Sequence, residues 1–160
     1  IALIKNFKTE FGVVYIPADD TIYYTSAEGL SYRLINATLE SSRQKFEKIN
    51  VRDIPSKGAT IVKSASHSST QTDEYIKRYK PYEIISAGSS LKICRVAEGL
   101  ADYYPRLGRT MEWDIAAAHA ILKCAGGNIL DLENKNEVNY GKKDFYNNNF
   151  IAKAKKNILH

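Results

Sequence analysis

Three things are scarce in this chain, and each absence narrows what it can be. Cysteine occurs twice, at Cys94 and Cys124, with no CxxC pair. A zinc site built on paired thiolates is thereby disfavoured, and the two thiols fit the buried, reduced state of a cytoplasmic protein. No apolar run approaches the roughly 20 residues that a spanning helix requires, so the chain reads as soluble. Lys and Arg number 23 against 18 Asp and Glu, a net charge of +5, yet the basic residues are scattered. Without a run of about five to eight of them, a nucleic-acid polymer is not the expected partner, whereas a small phosphorylated ligand suits the charge. No internal repeat or low-complexity segment appears.

What is present suffices for a folded core. With 160 residues, 44% of them hydrophobic, the chain makes one domain or two small lobes sharing a core. It opens inside an apolar stretch, "IALI", without a Met or a signal peptide, so further chain is expected before it. Residues 1–58 read as a β-meander: "IALI", "EFGVVYI", "TIYYTS" and "LSYRLI" are β-rich runs separated by turn residues, while "FEKINV" fits either a strand or a weak helix.

From residue 59 to 160 strand and helix patterns alternate, which argues an α/β layer architecture. "ATIVKSAS", "YEIISAG", "NILDL" and "FIAKA" read as strands. "TQTDEYIKRYK" reads as a helix opened by a Thr70–Asp73 capping box. In "SSLKICRVAEGLADYY" a helical stripe runs through Leu91, Cys94, Ala97 and Ala101; in "WDIAAAHAILKCAGG" one runs through Ile115, Ala118, Leu122 and Ala125, with Gly126–Gly127 as the stop.

Three segments can carry chemistry. In "ISAGSSLK" a strand passes through Gly88, Ser89 and Ser90 into a helix with Lys92 in its first turn. Amides at a helix start, two hydroxyls and a lysine make an anion site; an ordinary Ser N-cap is the competing reading. In "VKSASHSS" a strand ends in Ser64, Ser66 and His67, at the edge where open α/β sheets bind ligands; a merely solvated histidine is the alternative. In "TMEWDIAAAHAIL", Glu112 and Asp114 flank Trp113 at a helix start. Asp114 is either a simple helix cap or one ligand of a hard cation such as Mg²⁺, which two acids alone do not complete. Arg106 precedes that pair and either touches an anion or pairs with Glu112. Asp19–Asp20 and Asp131 read as structural, Glu98 as open, and His119 as facing the core or a neighbouring element.

Together "GSSLK", "VAEGLADYYPRLG" and "TMEWDIAAAHAIL" resemble the inositol monophosphatase superfamily of Mg²⁺-dependent, lithium-sensitive phosphatases, and within it the 3'(2'),5'-bisphosphate nucleotidase branch. The resemblance implies a layered α/β sandwich of the sugar-phosphatase type, here a β-meander remnant followed by an α/β lobe. It implies Asp114 as a metal ligand close to substrate. Gly88, Ser89, Ser90 and Lys92 are implied as nucleotide contacts, Ser64, Ser66 and His67 as contacts of the uncleaved phosphate, and Arg106 and Glu112 as further substrate contacts. The family's upstream Glu and D-P-I/L-D-G-T motif, which hold the other metal ligands, have no counterpart here, so Asp114 is expected to be part of a site completed elsewhere. The implied reaction is removal of the 3'-phosphate of 3'-phosphoadenosine 5'-phosphate with Mg²⁺, weak or absent in this chain alone. A sibling phosphatase of inositol phosphate or a sugar bisphosphate, and a non-catalytic remnant that binds nucleotide or pairs as a homodimer, are the alternatives.

Overall fold

A computed structural model of the chain describes residues 1–64 and 69–155. Its first half is an antiparallel meander in which sequence neighbours are spatial neighbours: β1 (Ala2–Lys5), β2 (Lys8–Ile16), β3 (Thr21–Thr25), β4 (Ser31–Ile35) and β5 (Lys45–Ile49). The ambiguous "FEKINV" is therefore strand β5, paired to β4 from Ser31↔Ile49 to Ile35↔Lys45. A left-handed Asp20 (φ 43°) turns the chain between β2 and β3; its carboxylate accepts from the amide and hydroxyl of Thr38. That is the structural role expected of the Asp19–Asp20 turn.

The second half builds a mixed sheet from β6 (Thr60–Ser64), then α1 (Thr70–Arg78), β7 (Glu83–Ala87), α2 (Leu91–Ala97), β8 (Tyr103–Arg106), the short β9 (Thr110–Met111), α3 (Glu112–Cys124), β10 (Gly127–Asp131), the short β11 (Tyr146–Asn147) and β12 (Phe150–Ala154). Strand order is β10-β12-β8-β6-β7, with β6, β7 and β8 mutually parallel and β12 antiparallel to both its neighbours. The mixed α/β class expected from the sequence is what the chain adopts.

Two local readings need correction. The α1 cap is Ser69, not Thr70: the Ser69 hydroxyl accepts from the Thr72 amide and donates to the Leu107 carbonyl, tying the helix start to the loop after β8. The long stripe to Ala101 is also not one helix. It stops at Ala97 because Gly99 takes φ +74°, sending its amide to Val96 O and that of Leu100 to Arg95 O. This pair of bonds closes the helix's last carbonyls, and it favours glycine at the left-handed position. "YYPR" beyond it becomes β8, in the middle of the sheet. Pro105 is tolerated there because β8 pairs with β6 only at Tyr103; past that point the two strands part.

Helices α2 and α3 lie between the two sheets, and α1 covers the far side of the second sheet, where Tyr79 packs on Tyr103 with ring centroids 5.3 Å apart. One buried cluster runs from Tyr23 and Ile49 of the meander through Ile115, Ile121 and Leu122 of α3 to Ile129 and Phe150 of the second sheet. Helix α3 is consequently buried all round rather than along one stripe, which explains its run of alanines. Its approach to β2 is close: a Cβ at Gly12 would collide with the carbonyl of Ala117. Thr9 and Ser31 donate from the meander to the Ala116 and Ile121 carbonyls of the same helix. The opposite face of the meander exposes Phe11, Tyr15 and Phe46. No helix among the described residues is long and apolar enough to cross a membrane.

Candidate functional site

Three parallel strands end at one edge: β6 at Ser64, β7 at Ala87 and β8 at Arg106. Where β8 leaves β6 a cavity of about 290 Å³ opens. Its polar wall comprises Ser64, Ser89, Ser90, Lys92, Arg106 and Asp114; Tyr104, Ile93 and Ile115 supply an apolar floor, and Thr110 the rim. The carboxyl edge of parallel strands is where open α/β sheets collect loops and helix starts, hence ligand sites.

Of the ten positions singled out from the sequence, six meet in this cavity: Ser64, Ser89, Ser90, Lys92, Arg106 and Asp114. Ser66 and His67 lie outside the described residues. Gly88 does not line the cavity, and a Cβ built on it meets nothing within 4 Å, so neighbouring protein atoms do not demand glycine there. The unusual backbone belongs to Ser89 instead, at φ +44°. Such left-handed conformations at non-glycine residues concentrate at binding loops. Ser90 makes no side-chain capping bond, so the ordinary N-cap reading does not hold.

The electrostatics are lopsided. Lys92 is only 5% exposed, its ammonium stands 5.4 Å from the centre of the Tyr104 ring, and it has no ion pair among the described residues. Burial, with the Arg106 guanidinium nearby, pushes its pKa below the usual lysine range. The Tyr104 hydroxyl is pushed up to about 12, chiefly by burial, with Asp114 adding to the rise and Arg106 opposing it. Two cations thus face one carboxylate across a pocket with hydroxyl donors, an arrangement that favours a compact anion such as phosphate.

Asp114 occupies the third position of α3, where its Oδ2 accepts from the Met111 amide at 2.8 Å. It therefore closes the helix start from within rather than capping it from outside, and its exposed carboxylate borders the cavity. Glu112 is put to a different use from the substrate contact expected of it. Its oxygens accept from the Gly141 and Lys142 amides at 2.8 and 2.9 Å, and the Lys142 ammonium lies 2.7 Å away. These donors hold its carboxyl below the usual range in spite of burial, and they leave no pairing with Arg106. The neighbouring Trp113 is exposed and rests near Phe145, 6.0 Å between ring centres, so the tryptophan braces the same 140s loop.

His119 faces inward, fully buried, between the Tyr140 hydroxyl at 2.7 Å and Asn128 Oδ1 at 2.9 Å. Because Asn128 Oδ1 only accepts, Nε2 carries the proton and Tyr140 donates to Nδ1. Glu98, left open by the sequence, is structural: its side chain accepts from Arg33 and Arg95, both at 2.6 Å, and from the Tyr23 hydroxyl at 3.1 Å. Sequence reasoning missed Tyr104 and Thr110, which a strand reading of "YYPR" would have aimed at this edge.

The lining suits phosphate but does not by itself suit Mg²⁺. That ion needs about six oxygens in near-octahedral array. Asp114 is the single carboxylate bordering the cavity, and no group of three or more His, Cys, Asp or Glu able to hold a metal occurs among the described residues.

A phosphate-sized, cation-walled cavity on the carboxyl edge of a layered α/β fold defines a phosphate-ester-binding protein. The chain belongs to the inositol monophosphatase family, whose model matches residues 1–160; the family is one of divalent-cation-dependent phosphatases. Among curated proteins it is 41% identical, over 84% of its length and 51% of the relative's, to the 3'(2'),5'-bisphosphate nucleotidase CysQ of Salmonella typhimurium. It is 36% identical, over 96% of its length and 56% of the relative's, to the CysQ of Buchnera aphidicola. Among solved structures, CysQ from Bacteroides thetaiotaomicron superposes with a TM-score of 0.85 at 35% identity, covering 98% of this chain and 62% of that one. The chain therefore spans about half the length of the curated relatives it matches.

Proposed function

We propose that this chain forms the nucleotide-phosphate cavity of a 3'(2'),5'-bisphosphate nucleotidase, with 3'-phosphoadenosine 5'-phosphate as its ligand. The observation that carries this reading is the buried, unpaired Lys92 beside Arg106 on a wall of serine hydroxyls. In this reading Lys92 and Arg106 neutralise and orient a phosphate, Ser64, Ser89 and Ser90 donate hydrogen bonds to it, and Tyr104, Ile93 and Ile115 give the nucleoside an apolar surface. The names of its relatives support the choice of a bisphosphate nucleotide over an inositol phosphate.

Mg²⁺ is the cation this reading assigns to the full reaction, and Asp114 is one oxygen donor for it. The described residues do not supply the rest, so the activity we assign to the 160 residues alone is binding without turnover. Calorimetric titration with 3'-phosphoadenosine 5'-phosphate, AMP and inositol 1-phosphate tests the reading, alongside phosphate release with Mg²⁺ in the presence and absence of Li⁺. The expected result is tightest binding of the bisphosphate and no phosphate release above an Asp114→Ala control. Equal affinity for inositol 1-phosphate would remove the nucleotidase assignment. Lithium-sensitive turnover that Asp114→Ala abolishes would show that the remaining metal ligands are provided, for instance by a second copy of the chain.

A further inference from the structure

A second polar recess lies behind the short β9–β11 ribbon, about 120 Å³ in volume and separate from the cavity above. Its walls come from the turn after β10 and from β11: Asp131, Asn134, Glu137, Asn147 and Asn148 among them, with Lys142 at one side. A cluster of amides and acids alone proves nothing, since such groups commonly satisfy each other. Here two members do not.

The first is Asn147. It is 93% buried, its amide nitrogen donates to Thr110 Oγ1 and Met111 O at 3.1 and 2.9 Å, and its Oδ1 is buried without a hydrogen-bond partner. The two acceptors fix which end of the amide is nitrogen, so an oxygen is what faces the recess. A buried acceptor left unmade costs about 1–3 kcal/mol, and such a group in a folded protein points to something it should meet. The second is Asp131. Its carboxylate accepts from the Glu133 and Asn134 amides and from the Asn134 and Asn148 side chains, all neutral donors. It has no ion pair among the described residues.

The other charges facing the recess are already balanced. Glu137 is paired with Lys123 at 2.9 Å and lies 3.7 Å from the neutral His119; Lys142 is held by Glu112 at 2.7 Å and by the Asn139 carbonyl at 2.6 Å. One net negative charge and one unmet amide oxygen remain. We propose that this recess is a site for a hard, oxygen-seeking cation of the calcium class, seated on the Asn147 amide oxygen and the Asp131 carboxylate. Calcium accepts amide carbonyls, carboxylates and waters in flexible geometry, whereas Mg²⁺ demands a regular octahedron and keeps its waters. Because Asn147 also holds Thr110, a rim residue of the phosphate cavity, occupation would stiffen that rim without contributing to the chemistry.

The test is calorimetric titration of the full chain, stripped with a chelator, in an Asp114→Ala background so that the other exposed carboxylate does not contribute. Saturable Ca²⁺ binding at one site is expected, with a dissociation constant on the order of 10⁻⁴–10⁻³ M, the range of weak surface sites. Asn139→Asp adds a carboxylate on an exposed wall residue and is expected to tighten binding several-fold; Asp131→Asn is expected to abolish it. Circular dichroism checks that each variant is folded. If Asp131→Asn fails to fold, Asn139→Asp still decides: a folded variant with unchanged affinity overturns the proposal. So does the absence of saturable Ca²⁺ binding, or Mg²⁺ binding as tightly as Ca²⁺.

Discussion

The two halves of helix α3 carry polar groups in opposite states. From His119 onward every polar side chain is matched: the imidazole sits between a hydroxyl and an amide, and Lys123 is paired with Glu137. At the other end Asp114 meets a cavity where Lys92 is buried beside Arg106 with no anion from the protein to balance it. Glu112, two residues before Asp114, belongs with the matched group despite its address. Position in a motif does not separate binding groups from scaffold; the degree to which hydrogen bonds and opposite charges are already taken does.

That contrast can be broken or sharpened by experiment. The largest effect is expected at Asp102, a fully buried carboxylate held by Arg52 at 3.0 Å through both oxygens and by the Thr60 amide at 2.7 Å. Asp102→Ala should destabilise the fold by about 3 kcal/mol, the low end for a broken buried pair because Arg52 is one-third exposed. Chemical denaturation would read this as a lower midpoint at unchanged slope.

Next comes His119. Burial lowers its pKa to about 4, against about 6.5 in an unfolded chain. As pH falls below 6.5 the unfolded state takes up the proton first, so stability is full above that pH and declines toward pH 4, by about 3 kcal/mol as an order of magnitude. Denaturation midpoints between pH 7 and 4.5 should fall more steeply for the natural chain than for His119→Gln. Parallel curves would mean that the histidine is not a buried neutral base.

Lys92 tests the other side of the comparison. Lys92→Met should weaken bisphosphate binding by tenfold or more, since a hydrogen bond to a charged group contributes about 1.5–3 kcal/mol. It should also raise the melting temperature by a few degrees, because a buried ammonium without a counter-charge is removed. A variant that loses stability along with affinity would place Lys92 among the scaffold groups. Smallest is Glu112→Gln, expected to cost about 1 kcal/mol of stability and to leave bisphosphate affinity unchanged. Lost affinity at unchanged stability would return Glu112 to the binding site.

Much of this was legible beforehand. Alternating apolar residues located the meander and the strand "FIAKA", and the serine, lysine and aspartate segments converge on one edge as expected. What escaped reading has identifiable physical causes. The spacing of Leu91, Cys94 and Ala97 continues by coincidence to Ala101, and only the left-handed turn at Gly99 cuts it. Strand β8 was hidden by its proline, which usually argues against a central strand and is harmless here because β6 has already diverged. The role of Glu112 depends on Gly141 and Lys142, some thirty positions away in sequence. No local pattern records a partner at that distance.

The missing side chain at Gly12 has a consequence for how such a chain could be recombined. It lets α3 lie against β2, while the other flank of that helix packs into the second sheet. A chimaera joining the meander of one relative to the α/β half of another would set a helix against a strand it was not selected with. Crossovers that keep Gly12 together with Ala116, Ala117 and Ala120 should yield folded chimaeras; those that separate them should not.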